Sequence, residues 1–355
     1  MIKRRPKPLF IILVVLGFLL IMLSCVYMYL SGPVDSSNNT DIEVVIPSGT
    51  STKNIGKILK EKNLIRNELF FSVYVKLNSK NSLKASVYTL RKSMELSKIV
   101  NILTNGNNYN ENVVTITFKE GMRLTDYAKE IASKTNNTYE QVIDVCNDKE
   151  YLNTLINKYW FLTDDILDSN IYYPLEGYLA PNTYQFKDKD VSVKDIVKVM
   201  LDQTDKELTK YKDKITDNIH YYITMASIVE LEGTNTKNRK MIVGVFNNRL
   251  KSKMNIGSDV TTYYALQYPM TSDLTTKQFA TVNPYNTRGA NMEGKMPIGP
   301  ICNPSMSSIE ASINPTDNNY LYFVADKNKE IFYSRTLKEH EALVQEIKDK
   351  GDWIW

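Results

Sequence analysis

Histidine is nearly missing from these 355 residues, with only His220 and His340, and cysteine is almost as scarce, with Cys25, Cys146 and Cys302. Neither histidine has a spacing that could make a metal pair or, by itself, a Ser-His-Asp arrangement, which argues against metal-dependent and triad hydrolases. The cysteines are too few and too far apart for a disulfide framework or a zinc site, so Cys146 and Cys302 are expected as buried free thiols. No glycine-rich phosphate loop of either common type occurs, which leaves nothing to hold a nucleotide. Neither a cofactor nor a metal is expected. Net charge is also lacking beyond the first eight residues: the formal excess is +4, and Lys3, Arg4, Arg5 and Lys7 supply all of it. A charge-balanced body without a basic, aromatic-interleaved tract argues against nucleic acid as a partner, because duplex binding needs a basic face to release counterions. Carboxylate chemistry is what remains.

What the chain does have is one long hydrophobic run, Leu9 to Leu30, 22 positions without a charge. That length matches a bilayer core. Basic residues precede the run and none follows it at once, so residues 1–8 are expected as a cytoplasmic tail, 9–30 as a transmembrane helix and the rest as extracytoplasmic. This predicts a single-pass protein of the cell membrane. A cleaved signal peptide fits less well, since its apolar core is usually about 7 to 15 residues and ends in small residues. Met22-Leu23-Ser24 is likewise a poor approach to a lipidated Cys25.

The remaining length allows two or three domains. Residues 31–40, with Gly32, Pro33, two Ser and two Asn, read as a linker. Ile42 to Ile46 then reads as a strand, Pro47-Ser48-Gly49 as a turn, and Thr50 or Ser51 as the cap of a helix carrying Ile55, Ile58 and Leu59. A second unit of the same kind runs from Ser86–Leu90 into Leu96, Ile99, Val100 and Leu103, with Gly106 as the stop. A third runs from Val113–Phe118 through Glu120-Gly121 into a helix from about Leu124. Residues 41–118 in this pattern resemble a LysM-type glycan-binding module, although a plain packing domain would show it too. Residues of about 124–170 read as a helical insert, and Val191 to about Lys214 as another long helix.

Ile219 to Glu232 reads IHYYITMASIVELE, an apolar helix with two glutamates at its end. At 100° per residue, Glu230 shares a stripe with Ile219, Ile223 and Ala226, whereas Glu232 shares one with Tyr221, Met225 and Ile228. They point about 200° apart. So arranged, they cannot form the face-to-face pair of a retaining glycosidase, whose carboxyls stand roughly 5 Å apart. At most one is a catalytic acid. A carboxyl among apolar neighbours is desolvated, which favours its protonated form, and either position could meet that condition. Downstream, Phe246 to Leu250, Ser258 to Tyr264 and Asn283 to Thr287 concentrate amides, hydroxyls, tyrosines and an arginine. Such a lining suits a polyhydroxylated sugar, although turn residues and satisfied surface polars would look the same.

These segments, in this order, resemble the MltG/YceG-like family of endolytic murein transglycosylases. The resemblance rests on Leu175-Glu176-Gly177-Tyr178-Leu179-Ala180-Pro181-Asn182-Thr183-Tyr184, on Ala226 to Glu232, on Val245 to Leu250, and on Ser258-Asp259 with Thr261 and Tyr264. It continues through Asn283 to Thr287, Pro297 to Pro304 and Tyr320 to Asp326. Val260 stands where the family often has Pro, Gly257 where it has Gln, and Leu231 where it has Lys.

The resemblance implies an α+β chain with a single N-terminal transmembrane helix, a LysM-like α/β subdomain at 41–118, and an α+β catalytic domain at 119–355 with the insert at about 124–170. It names Glu230 as the acid, a choice that helical phase alone leaves open. Glu176, Tyr184, Glu232, Asn247, Arg249, Asp259, Thr261, Tyr264, Tyr285, Asn286 and Thr287 are carried over as substrate-contact residues. The implied reaction cuts the MurNAc-GlcNAc bond within nascent glycan strands, leaves 1,6-anhydro-MurNAc ends and limits strand length. Peptidoglycan strands are then the substrate and peptidoglycan synthases the expected partners. Two other readings stay open: an inverting muramidase with Asp259 or Glu176 as base, and a non-catalytic peptidoglycan-binding scaffold.

Overall fold

In this computed structural model the described residues are 8–47, 49–79, 82–105, 113–215 and 218–353, and the described side chains begin at Leu16. The basic residues before Pro8, Ser48 and the expected stop at Gly106 lie outside them. The architecture is mixed helix and sheet, with three two-stranded sheets among the described residues. Helix α1, Pro8–Ser31, occupies the apolar run. Among the described residues no helix is long and apolar enough to cross a membrane. The side chains of residues 9–15, which open the 22-residue run, lie outside the described part.

The chain divides into two compact units, Met1–Thr115 with Thr183–Lys189, and Ile116–Asn182 with Asp190–Trp355. In the first unit β1 (Ile42–Ile46) leads into α2 (Thr52–Glu61), whose Ser51 cap accepts from Asn54 N. Next come α3 (Glu68–Asn78), β2 (Ser86–Leu90) and α4 (Leu96–Asn105). Strands β1 and β2 pair antiparallel, Ile42 opposite Leu90 and Ile46 opposite Ser86. Inward residues alternate along β1, so Val44 and Ile46 join Ile55, Leu59, Phe71, Tyr88 and Leu103 in one core. The segment expected as a free linker is tied down: Arg66 donates to Pro33 O (2.6 Å), and Ser93 Oγ donates to Asn39 (2.6 Å). Strand β3 (Val114–Phe118) pairs with β4 (Asn182–Phe186). The division therefore falls inside β3, slightly before the expected boundary at 118, and groups residues 183–189 with the first unit.

The second unit opens with α5 (Leu124–Lys134), α6 (Tyr139–Asn147) and α7 (Lys149–Lys158), followed by α8 (Val193–Leu208). Its centre is built from α9 (Ile219–Glu232), α10 (Thr236–Lys251), α11 (Asp259–Ala265), α12 (Thr276–Phe279) and α13 (Met306–Ile313). A hairpin, β5 (Tyr322–Ala325) and β6 (Ile331–Ser334), packs with α14 (Leu337–Asp349). Helix α9 packs on α10, α11 and α13, and every residue from Tyr222 to Val229 is buried. A helix apolar all round belongs inside a core, where Met225, Ile228 and Val229 meet Ile242, Phe246, Ile256, Tyr264 and Ile301. Both glutamates thus emerge from a rod held on all sides.

Candidate active site

Glu230 sits where three helix ends meet: the last turn of α9, the first turn of α10 and the start of α13. Its side chain is 7% exposed and pairs with Arg239 of α10, whose Nη2 lies 2.9 Å from Oε1. Oε2 accepts from Ser305 N (2.8 Å), Ser305 Oγ (2.6 Å) and Ser308 Oγ (2.7 Å). Ser305 is the N-cap of α13, and a carboxylate at a helix N-terminus is favoured by the unpaired N–H groups there. Arg239 also donates to Ser305 Oγ (3.2 Å), to Ser307 Oγ and to Gly233 O (3.2 Å), so the guanidinium is itself clamped. This corrects the expected apolar seat for the acid: Glu230 leaves its helix into a ring of donors. The two oxygens are unequal. Oε2 has three partners and is saturated, whereas among the described residues Oε1 has one, Arg239.

Glu232 points elsewhere, as the helical phase requires. Ser258 Oγ donates to its Oε1 (2.6 Å), and burial pushes this carboxyl upward despite that bond and the nearby Arg249 and Arg288. Glu176 is 1% exposed and follows a turn whose next residue, Gly177, has φ +86°. It accepts from Leu124 N (2.8 Å), Asn303 Nδ2 (3.1 Å) and Tyr264 Oη (3.1 Å). Burial outweighs those donors and Arg123 and pushes it up to about 8. Buried in this way, Glu176 is not a surface for sugar.

The other expected contact residues divide by their burial. Thr261 and Thr287 share a hydrogen bond (2.8 Å), Ser258 N donates to Thr287 Oγ1 (3.0 Å), and Thr261 Oγ1 donates to Ser258 O (2.6 Å). Asn286 accepts from Thr262 Oγ1 (2.6 Å) and donates to Phe279 O and Thr281 O. All three are fully buried. They staple the loops that carry Ser258 to Glu232, so here the turn-residue alternative describes them. Tyr264 and Tyr285 are buried; Tyr264 stacks with Tyr172, and Tyr285 packs against it at a tilt. Arg249 is held by Leu321 O and Ile256 O (2.6 Å each). Asp259 is half exposed and paired with Arg288. Asn247 accepts from Tyr221 Oη (2.9 Å) and lines a cavity of about 590 Å³ with Tyr222, Leu250, Ile313 and Pro315. That cavity lies at the opposite ends of α9, α10 and α13 from Glu230. Tyr184 is a buried residue of β4 in the first unit, stacked with Phe186.

Sequence reading missed Arg239, Asn303, Ser305 and Ser308. Only Asn303 lay within a quoted segment. In sequence Arg239 is one more cation on a polar helix start, and Ser305 carries the signal of a helix cap; neither was read. His220 is structural: Nε2 donates to Ile298 O (2.8 Å), and Nδ1 accepts from Tyr178 Oη (2.7 Å). Among the described residues no three of His, Cys, Asp and Glu cluster as metal ligands.

The carboxyl of Glu230 at the end of a buried helix, held by an arginine and two serines, is the candidate acid/base site. The chain belongs to the YceG-like family, whose model matches residues 44–346. It is 38% identical over 325 residues to an endolytic murein transglycosylase of Bacillus subtilis (strain 168), covering 90% of this chain and 89% of that one. An endolytic murein transglycosylase of Streptococcus pneumoniae serotype 2 (strain D39 / NCTC 7466) is 32% identical over 333 residues, 88% of this chain and 60% of its own length. A crystal structure of a yceG-like protein from Listeria monocytogenes has TM-score 0.61 and 37% identity, over 86% of this chain and 99% of that one.

Proposed function

We propose that this chain is a membrane-anchored endolytic lytic transglycosylase, a lyase that cuts MurNAc-GlcNAc bonds within peptidoglycan strands. Glu230, protonated on Oε1, gives its proton to the bridging oxygen while the C1–O bond of the muramic sugar breaks. The resulting carboxylate takes the proton from that sugar's 6-hydroxyl as O6 bonds to C1. A 1,6-anhydro end forms, no water is consumed, and the carboxyl returns to its starting state. Arg239, Ser305 and Ser308 hold the carboxylate between the two transfers, the moment at which it carries charge.

The observation that carries this reading over an inverting muramidase is the state of the candidate bases. Such an enzyme needs a second carboxylate with access to water, roughly 6.5 to 9.5 Å from the acid. Glu176 is walled off from water, and Asp259, though half exposed, has its carboxylate held by Arg288. Digestion of defined uncrosslinked glycan strands by the full chain in detergent, read by mass spectrometry, tests it. Anhydro ends are expected from the parent protein and none from Glu230→Gln; reducing ends alone would sink the proposal.

The same reading makes residues 9–30 the membrane anchor, with the body extracytoplasmic, and residues 41–118 a LysM-like glycan-binding unit. Endolytic cutting beside the membrane would limit strand length and place the enzyme next to peptidoglycan synthases.

A further inference from the structure

We infer that Glu176 is a positioning residue for Glu230, acting through Asn303 and the short stretch to Ser305. The inference rests on the reading of Glu230 as the acid.

Glu176 is buried, and its carboxyl gathers donors from three places: the first amide of α5 at Leu124, Tyr264 on α11, and the Asn303 side chain. Arg123, the N-cap of α5, makes no side-chain capping bond, so the carboxyl of Glu176 does that work from across the unit. Asn303 is fully buried and has no spare bonding capacity. Its Nδ2 donates to Glu176 and Met122 O, and its Oδ1 accepts from Gly177 N (3.0 Å) and Leu179 N (3.1 Å). Its backbone exchanges bonds with Gly121 and Met122 (2.9 Å each). Two residues later Ser305 offers Glu230 both its amide and its hydroxyl.

The strand-to-helix turn is the second wall. A Cβ on Gly121, where φ is +75°, would lie 3.8 Å from Glu230 Cγ and 3.3 Å from Leu231 Cδ2. Segments 121–124 and 303–305, which flank the acid, are therefore tied to one carboxyl. The charged groups near Glu176 are Arg123 and Asp126, and burial, which pushes the carboxyl up to about 8, favours its neutral form. A glutamine in its place reproduces that neutral form: its oxygen accepts from Leu124 N and Asn303, and its amide faces Tyr264.

The test is a double-mutant comparison on defined glycan strands, with folding checked by circular dichroism. Glu176→Ala is expected to lower kcat about tenfold with KM within about twofold, the signature of a displaced catalytic group. Glu176→Gln is expected to restore kcat to within about twofold of the parent. In a Ser305→Ala background the same Glu176→Ala change should cost less than about twofold, because the path it acts through is already cut. An equal factor in both backgrounds, or a fully active Glu176→Ala, overturns the inference. If Glu176→Ala does not fold, Glu176→Asp, which retracts the carboxyl by one methylene, replaces it in both arms with the same criterion. A parent protein that releases no anhydro ends fails the functional reading instead, and the two failures are distinguishable.

Discussion

Arg239 and Glu230 form the least exposed ion pair described in the chain, and removing one partner leaves the other as an unpaired buried charge. Arg239→Leu is expected to lower stability by about 1–3 kcal/mol, read by urea denaturation, and to reduce kcat more than KM. Ser308→Ala removes one donor of three from Oε2 and should cost less on both counts. Glu176 predicts a pH dependence of opposite origin. Its folded value of about 8 lies above the ordinary value of about 4.3, so between those limits the native state binds a proton that the unfolded state releases. Its stabilising contribution is whole below about pH 4.3 and is lost as pH rises through about 8, at up to about 1.4 kcal/mol per pH unit. Urea midpoints at pH 5 and pH 8.5 should converge in Glu176→Gln relative to the parent. The residue scale is also where sequence reading fell short. The motif held Glu230, but its partners come from α10 and α13, 9 to 78 residues away, and helical phase carries no information about them.

Helix α9 shows what periodicity can supply. An apolar run closed by polar residues gave Ile219–Glu232, and the structure has those bounds, with Asn218 as the cap. The strands Ile42–Ile46 and Ser86–Leu90 were legible in the same way, from alternation and turn chemistry, as was a cap at Thr50 or Ser51, of which the structure uses Ser51. Helix α3 was not read, because ELFFSVYVKLN carries apolar residues around its circumference and Leu69, Val73 and Leu77 face outward. Strand β5 was quoted only as part of a motif and β6 was not read, for nearly all their residues are half-buried and show no alternation. Two changes test the packing at this scale. Ile228→Ala on α9 should cost about 2–5 kcal/mol, since α9 has no open face into which the core can relax. Gly177→Ala should be at least as damaging, because φ is +86° and a Cβ would lie 2.5 Å from Pro300. Both are read by chemical denaturation.

For the whole molecule, charge and hydropathy were the informative quantities. The four basic residues before the apolar run account for the full net charge, which leaves a neutral body behind a basic start. A chain anchored through that run should sediment with membranes and resist carbonate extraction, and deletion of residues 1–31 should move it to the soluble fraction; a full chain that is soluble without detergent would refute the anchor. The family resemblance was borne out by the match over residues 44–346. The grouping of residues 183–189 with the N-terminal unit had no local signal, because strand pairing between β3 and β4 spans more than sixty residues of sequence.

The burial of α9 on every side has a consequence for how the enzyme fails. Amides from Tyr222 to Val229 cannot open one turn at a time without exposing core, so they should exchange with deuterium only when their whole unit opens. Glu230 is thus mounted on the last part of that unit to let go. On warming, cutting activity should persist until cooperative unfolding and vanish together with the protection of those amides, with no earlier inactive intermediate.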